Sequence, residues 1–248
     1  MSNAPLITVI IPAYNAGKTI KTAVLSVLHQ TYPSVELIVV DGLSKDNTLQ
    51  ILSELQHVRP FKVISEKDKG VYDAMNKGIV AATGEWVYFL GGDDELYNNE
   101  VFKDIFSKPG TVEADMVYGN IWLTEQKKIS GGPFTRKEIF WKNISHQAII
   151  YKKALFDRLG VYDMTYKIMA DYVFNLKIFA QNDLKLKYVD IVVASFGEEG
   201  LSSTRRDEQL KKDRTWLVWQ YYSLPYYLYA VFAVPFIDLF KNKLKLIK

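Results

Sequence analysis

The sequence predicts an α/β protein: a Rossmann-like, mostly parallel sheet flanked by helices, followed by a C-terminal helical tail. Two observations carry the sheet. Short β-branched runs alternate with helix-periodic segments over about the first 95 residues, and that alternation builds parallel βαβ units with right-handed crossovers. The apolar run at residues 86–90 then stops at Gly91-Gly92 and delivers Asp93-Asp94-Glu95. A buried strand that ends this way presents carboxylates at the ligand-binding edge of an open sheet. The tail rests on a third observation: residues 216–237 contain no charge and are rich in Tyr, Phe, Leu and Val.

The elements follow in order. Residues 6–11 are a β-branched strand run. Pro12-Ala13-Tyr14-Asn15 ends it, and Asn15 is placed to cap the next helix. Within 16–30, Ile20, Ala23, Val24, Val27 and Leu28 recur at helical spacing. Residues 35–40 form a second strand ending at Asp41-Gly42, and Ser44 or Asp46 caps a helix through Leu55. Residues 61–65 are a third strand. Val71, Ala74, Met75, Ile79 and Ala82 line one side of a third helix, stopped by Gly84, and 86–90 is the fourth strand. Beyond Asp94 the pattern loosens. Strands are expected at 117–123, 148–151 and 186–193, and helices at 153–159, stopped by Gly160, and at 171–180. Thr135-x-x-Glu138 is a capping-box start for a short helix.

Composition narrows the chemistry. The 248 residues carry a net charge of +3, so bulk electrostatics call for no nucleic-acid partner. There is no cysteine, which excludes disulfides, a catalytic thiol and thiolate metal sites and fits a reducing compartment. The three histidines are far apart in sequence. A metal would be held mainly by oxygen ligands, which favours Mg²⁺ or Mn²⁺. No signal peptide is visible at the N-terminus.

Asp41, Asp68, Asp93 and Asp94 all fall at or near loops that follow predicted strands. In a parallel sheet such loops share one edge, so the four carboxylates converge and need a cation or donors between them. Lys67, Lys69, Tyr72, Asn76 and Lys77 bracket that edge, and Gly70 lets backbone approach a ligand closely. GxGxxG and GxxxxGK[ST] are both absent, which removes the main support for dinucleotide-oxidoreductase and P-loop readings.

The ordered motifs then become specific. They are Val9-Ile10-Ile11-Pro12-Ala13-Tyr14-Asn15, Val39-Val40-Asp41-Gly42, the string from Glu66 through Asp68 and Lys77 to Gly78, Gly84-Glu85, and Phe89-Leu90-Gly91-Gly92-Asp93-Asp94. Over roughly residues 6–200 the chain resembles the family 2 glycosyltransferases, inverting enzymes of GT-A fold that use nucleotide-diphosphate sugars. The resemblance implies a hexosyl-type transferase that moves a sugar from such a donor, a UDP-sugar, to a saccharide or lipid-linked acceptor in polysaccharide biosynthesis. It implies that Pro12, Tyr14 and Asp41 surround the nucleobase, that Asp68 approaches the nucleoside, and that Lys77 lies on the donor side. Asp93 would lean to the ribose and share the metal, Mn²⁺ or Mg²⁺, with Asp94. His146 would stand near the diphosphate or acceptor, and Arg205, in the loop with Gly200-Leu201-Ser202-Ser203 and Arg206, would offset diphosphate charge. The general base of the inverting transfer would be Asp171. Three positions depart from the family pattern: Gly42, Gly91 and Ala170 stand where relatives carry acidic or amide side chains. Trp122, Trp141 and Tyr166 are candidates to stack on an acceptor sugar, or else core aromatics.

The domain boundaries expected are 1–205 for the transferase domain and 206–248 for the tail. The uncharged stretch is flanked by Lys211, Lys212 and Arg214 before it and Lys241, Lys243, Lys245 and Lys248 after it. Pro225 and Pro235 interrupt it, and five tyrosines crowd its first part. Three readings stand: an in-plane element on anionic lipid, packing on the domain or on a second copy as a homodimer, and a membrane span. The first places the protein in the cytoplasm, peripheral on the inner face of the membrane. Two rival functions remain. One is a nucleotidyltransferase of related fold, which would carry a Gly-rich basic loop after the first strand; here residues 12–18 hold one glycine. The other is a non-catalytic scaffold with a degenerate transferase fold, favoured by Gly42, Gly91 and Ala170.

Overall fold

In the computed structural model, residues 4–197 and 207–233 are described. Arg205, Arg206, the loop residues 200–203 and the basic end of the tail lie outside them.

Among the described residues nine strands form one sheet: β1 (Ile7–Ala13), β2 (Val35–Asp41), β3 (Lys62–Ser65), β4 (Trp86–Phe89), β5 (Glu95–Leu96), β6 (Met116–Leu123), β7 (Lys128–Ser130), β8 (Ile149–Lys152) and β9 (Leu186–Phe196). Their order is β3-β2-β1-β4-β8-β6-β9-β5, with β7 paired to β6. β1 to β4 are parallel, as the βαβ alternation predicts. β8 runs antiparallel between β4 and β6, while β9 returns parallel to β6.

Both faces of the sheet are covered, because successive residues of a strand point to opposite sides. On one face Ile10, Val40 and Phe89 pack against α3 (Val71–Ala81) and α6 (Ala170–Ala180). On the other, Val9, Ile11, Val39 and Tyr88 pack against α1 (Ile20–Leu28), α2 (Thr48–Gln56) and α4 (Val101–Phe106). A Cβ on Gly78 would stand 2.4 Å from the Ile10 side chain, so glycine there lets α3 sit directly on β1.

Some expectations need correction. Asn15 does not cap α1, which begins five residues later at Ile20. Asn15 instead accepts from Lys45 N and donates its own N–H to Ser44 Oγ, each at 2.8 Å. The β1–α1 and β2–α2 loops are thereby tied together at the sheet edge. Ser44 is used by Asn15, and the cap position of α2 is Asn47, with Asp46 accepting from Thr48 N. The capping box is present: Glu138 N donates to Thr135 Oγ1 and Thr135 N donates to Glu138 Oε2. It opens only a single 3₁₀ turn (Glu138–Phe140). β5, β7 and α4 were not expected at all.

The tail contains α7 (Glu208–Tyr221) and α8 (Leu224–Leu228). α5 (Ala154–Leu159) ends at Gly160 as expected. Leu210, Leu217, Val218 and Tyr222 belong to the same buried cluster as α6. The Tyr222 ring meets Phe140 edge-on at 4.8 Å, and its hydroxyl donates to Leu176 O. Asp207 accepts from Ile168 N at 2.9 Å, just ahead of α6. Among the described residues no helix is long and apolar enough to cross a membrane.

Candidate active site

The carboxyl ends of β1, β2, β3 and β4 meet at one edge, as parallel strands must. A cleft of about 430 Å³ opens there, lined by Pro12, Tyr14, Asp68, Gly70, Gly92 and Asp93 among others. Tyr14 is 60% exposed at its rim. Asp41, the last residue of β2, is fully buried beside it. Its Oδ2 accepts from Ser44 N and Ser65 Oγ, while its Oδ1 is buried with no partner. An orphan carboxylate oxygen is costly unless a ligand donor completes it. Asp68 lies against the turn after Asp41: a Cβ on Gly42 would come within 2.2 Å of Asp68 Oδ2. Glycine at 42 therefore makes room for the second acid.

Asp93 is exposed and lines the cleft. Asp94 is buried: its Oδ2 accepts from Gln147 Nε2 at 2.7 Å and its Oδ1 from Gly197 N at 3.1 Å. Both donors arrive by topology. β8 is antiparallel to β4, so the turn that precedes it (His146–Ala148) reaches the edge where β4 ends. β9 ends at Phe196 on the same edge, which brings Gly197 there. Burial pushes the Asp94 carboxyl up to about 7, aided by the neighbouring Asp93 charge and opposed by the Gln147 hydrogen bond. Gly91 again makes the space: a Cβ there would lie 2.4 Å from Asp94 Oδ2.

Among the described residues no group of three or more acids or histidines forms a cation cage. Asp93 and Asp94 instead flank an open hollow. Two adjacent carboxylates suit a divalent ion whose remaining ligands come from a bound diphosphate, and such an ion would favour the ionised form of Asp94 that burial opposes.

Asp171 occupies the first turn of α6 and is 5% exposed. Tyr72, in the first turn of α3, donates to its Oδ1 at 2.7 Å, and Asn143 Nδ2 donates to its Oδ2 at 2.8 Å. Asn143 is in turn fixed by Asn175 Nδ2, and Asn175 Oδ1 accepts from the Tyr151 hydroxyl. The carboxylate is thus held in a fixed plane by buried polar groups. His146 is partly exposed; burial lowers its pKa, against the opposing pull of the Asp171 and Asp93 charges, so the imidazole favours its neutral form.

Lys77 is placed elsewhere. Its ammonium pairs with Glu66 at 3.0 Å and donates to Lys67 O, outside the residues lining the cleft. Tyr166 is buried with its hydroxyl donating to Asp213, so it is a core aromatic. Trp122 packs near Tyr97, and Trp141 near Tyr229. Asn143 was missing from the expected set, because nothing local in Trp141-Lys142-Asn143 marks it.

Comparison with known proteins decides the family. The sequence matches the family described as glycosyl transferase family 2 over residues 8–169. The chain belongs to that family. It is a glycosyltransferase, which sets the nucleotidyltransferase and scaffold readings aside. It is 37% identical over 214 residues to a PGL/p-HBAD biosynthesis glycosyltransferase of Mycobacterium tuberculosis, covering 84% of both chains. An uncharacterized glycosyltransferase of the same organism is 33% identical over 184 residues, 71% of this chain and 70% of the relative. The GT-A fold is shared with S. aureus TarS in complex with UDP-GlcNAc, with a TM-score of 0.72 at 22% identity, over 87% of this chain and 66% of that one. It is also shared with a mannosyltransferase from Pyrobaculum calidifontis in complex with GDP-Man and Mn²⁺, with a TM-score of 0.63 at 19% identity, over 89% of this chain and 64% of that one.

Proposed function

We propose that this family 2 enzyme transfers a sugar, with inversion, from a UDP-sugar to a saccharide or lipid-linked acceptor. The observation that carries the donor side is the unpartnered, fully buried Oδ1 of Asp41 beside the cleft. A single carboxylate oxygen matches the single imide N–H of uracil, with Pro12 and Tyr14 flanking the base and Asp68 turned to the nucleoside. Asp93 and Asp94 would hold Mn²⁺ or Mg²⁺, which supplies charge neutralisation for the diphosphate.

Asp171 then takes the proton of the acceptor hydroxyl. The acceptor oxygen bonds to the anomeric carbon from the face opposite the diphosphate, the bond to the diphosphate oxygen breaks, and configuration inverts. A positioned base of this kind is worth about 10²–10⁴-fold. His146, neutral and near both Asp171 and Asp93, can donate to the diphosphate or the acceptor.

The tail supports a peripheral, membrane-facing setting. Trp216, Trp219, Leu224, Leu228 and Phe232 are all more than 40% exposed, and Lys212 stands one helical turn before Trp216. Amphipathic aromatic and basic surface of this kind suits the interface of an anionic bilayer. Isothermal titration with UDP and Mn²⁺ tests the donor assignment. Metal-dependent binding is expected, and Asp41→Ala should weaken it. Equal heats with and without metal, or an unaffected Asp41→Ala protein, would contradict it.

A further inference from the structure

Beside the base, a second cleft of about 440 Å³ lies between the turn at 138–143 and α7. We infer that it binds an anionic group, of phosphate type, on an amphiphilic acceptor. The inference rests on the reading of Asp171 as the group that faces the acceptor.

One wall is apolar, built from Trp141, Met169 and Leu210. The other carries Lys211 and Arg214. Among the described residues neither cation pairs with a carboxylate. The cleft also holds the Asp207 carboxylate, and Lys142, which pairs with Glu138. Asp207 accepts from Leu210 N and Ile168 N, and Asp213 accepts from the Tyr166 hydroxyl and Gln209. With Lys211 and Arg214 against the single Asp207 carboxylate, the lining keeps a positive excess beside an apolar wall, which selects a ligand that is both anionic and greasy. The planar guanidinium of Arg214 suits the paired oxygens of a phosphate.

The cleft is continuous with the chemistry through Asn143, which lines it and donates to Asp171 Oδ2. Met169, two residues before Asp171, is also in its wall. An acceptor anchored here by its anion would lead its saccharide hydroxyl toward the base. The exposed face of α7 is separate: Trp216 lies two residues on from Arg214, a rotation of about 200° around the helix. Membrane contact through Trp216 and Trp219 leaves Arg214 facing the cleft.

The test is isothermal titration of the full chain with decyl phosphate below its micellar concentration, decyl maltoside and inorganic phosphate. Decyl phosphate should bind more tightly than the other two, and Lys211→Gln with Arg214→Gln should weaken it roughly tenfold or more, the usual worth of charged hydrogen bonds. Trp216→Ser with Trp219→Ser should leave it unchanged. Equal binding of decyl phosphate and decyl maltoside, equal binding of inorganic phosphate, indifference to the Lys211 and Arg214 changes, or loss in the tryptophan variant would each overturn the assignment. UDP with Mn²⁺ is titrated on the same samples. Loss of UDP binding with decyl phosphate binding intact contradicts the donor reading and upholds the cleft.

Discussion

The Tyr72 hydroxyl lies 2.7 Å from Oδ1 of Asp171, joining residues 99 apart in sequence. Each sits in the first turn of its helix, Tyr72 on α3 and Asp171 on α6. α3 starts directly after Gly70, in the wall of the donor cleft. The proposed base is therefore held by the element that borders the proposed donor cleft.

Tyr72→Phe removes that hydrogen bond and keeps the ring. A bond to a charged group is worth about 1.5–3 kcal/mol, so kcat should fall about 10- to 100-fold while KM for the donor stays near the wild-type value. Asn143→Ala should act alike, because it frees the other oxygen. Steady-state kinetics with the donor varied separates this outcome from a general loss of folding, which would lower the amount of active enzyme without a selective effect on kcat.

The burial of Asp94 gives two dependences on pH. Its folded-state pKa of about 7 stands above the ordinary carboxylate value of about 4. Protonated Asp94 therefore favours the folded state, and that contribution is lost as pH rises from about 4 through 7. The metal-free wild type should lose melting temperature relative to Asp94→Asn between about pH 4 and pH 7, the window the shift defines, and level off above it. Metal binding needs the ionised form, so Mn²⁺ affinity should rise about tenfold per pH unit below 7 and level off above it. Calorimetric melting and Mn²⁺ titration across that range check both.

Gly42 and Gly91 read from sequence as lost polar contacts. In the structure they are the space that Asp68 and Asp94 occupy. Gly42→Ala should push the Asp68 carboxylate aside and loosen its bond to Gly70 N. UDP affinity should drop by about tenfold, the scale of one hydrogen bond at a charged group, with little change in melting temperature. An unchanged UDP affinity would show that Asp68 plays no part in nucleoside binding.

The legible and illegible parts of the sequence divide on physical grounds. β1 and β2 were plain because central parallel strands are buried on both faces and read as unbroken β-branched runs. Asp41, Asp93 and Asp94 were findable because each closes or follows a buried strand run, and Asp68 because it follows the short edge strand β3. α4, six residues long, and β5, two residues long, are too short to show a period. The antiparallel course of β8 carries no local mark, so Gln147 could not be matched with Asp94, nor Asn143 with Asp171, before the fold placed them. Asn15 has the composition of a helix cap, but a contact with the neighbouring loop took it instead.

Asp171→Asn is the most direct test of the account. The substitution keeps the size of the side chain and one of its two accepting oxygens, and removes its basicity. The variant should bind UDP with Mn²⁺ as tightly as the wild type and lose transfer to acceptor by about 10²–10⁴-fold, read as acceptor-dependent UDP release from a panel of UDP-sugars. Wild-type transfer rates in the Asp171→Asn protein would contradict the assignment of the base and, with it, the mechanism.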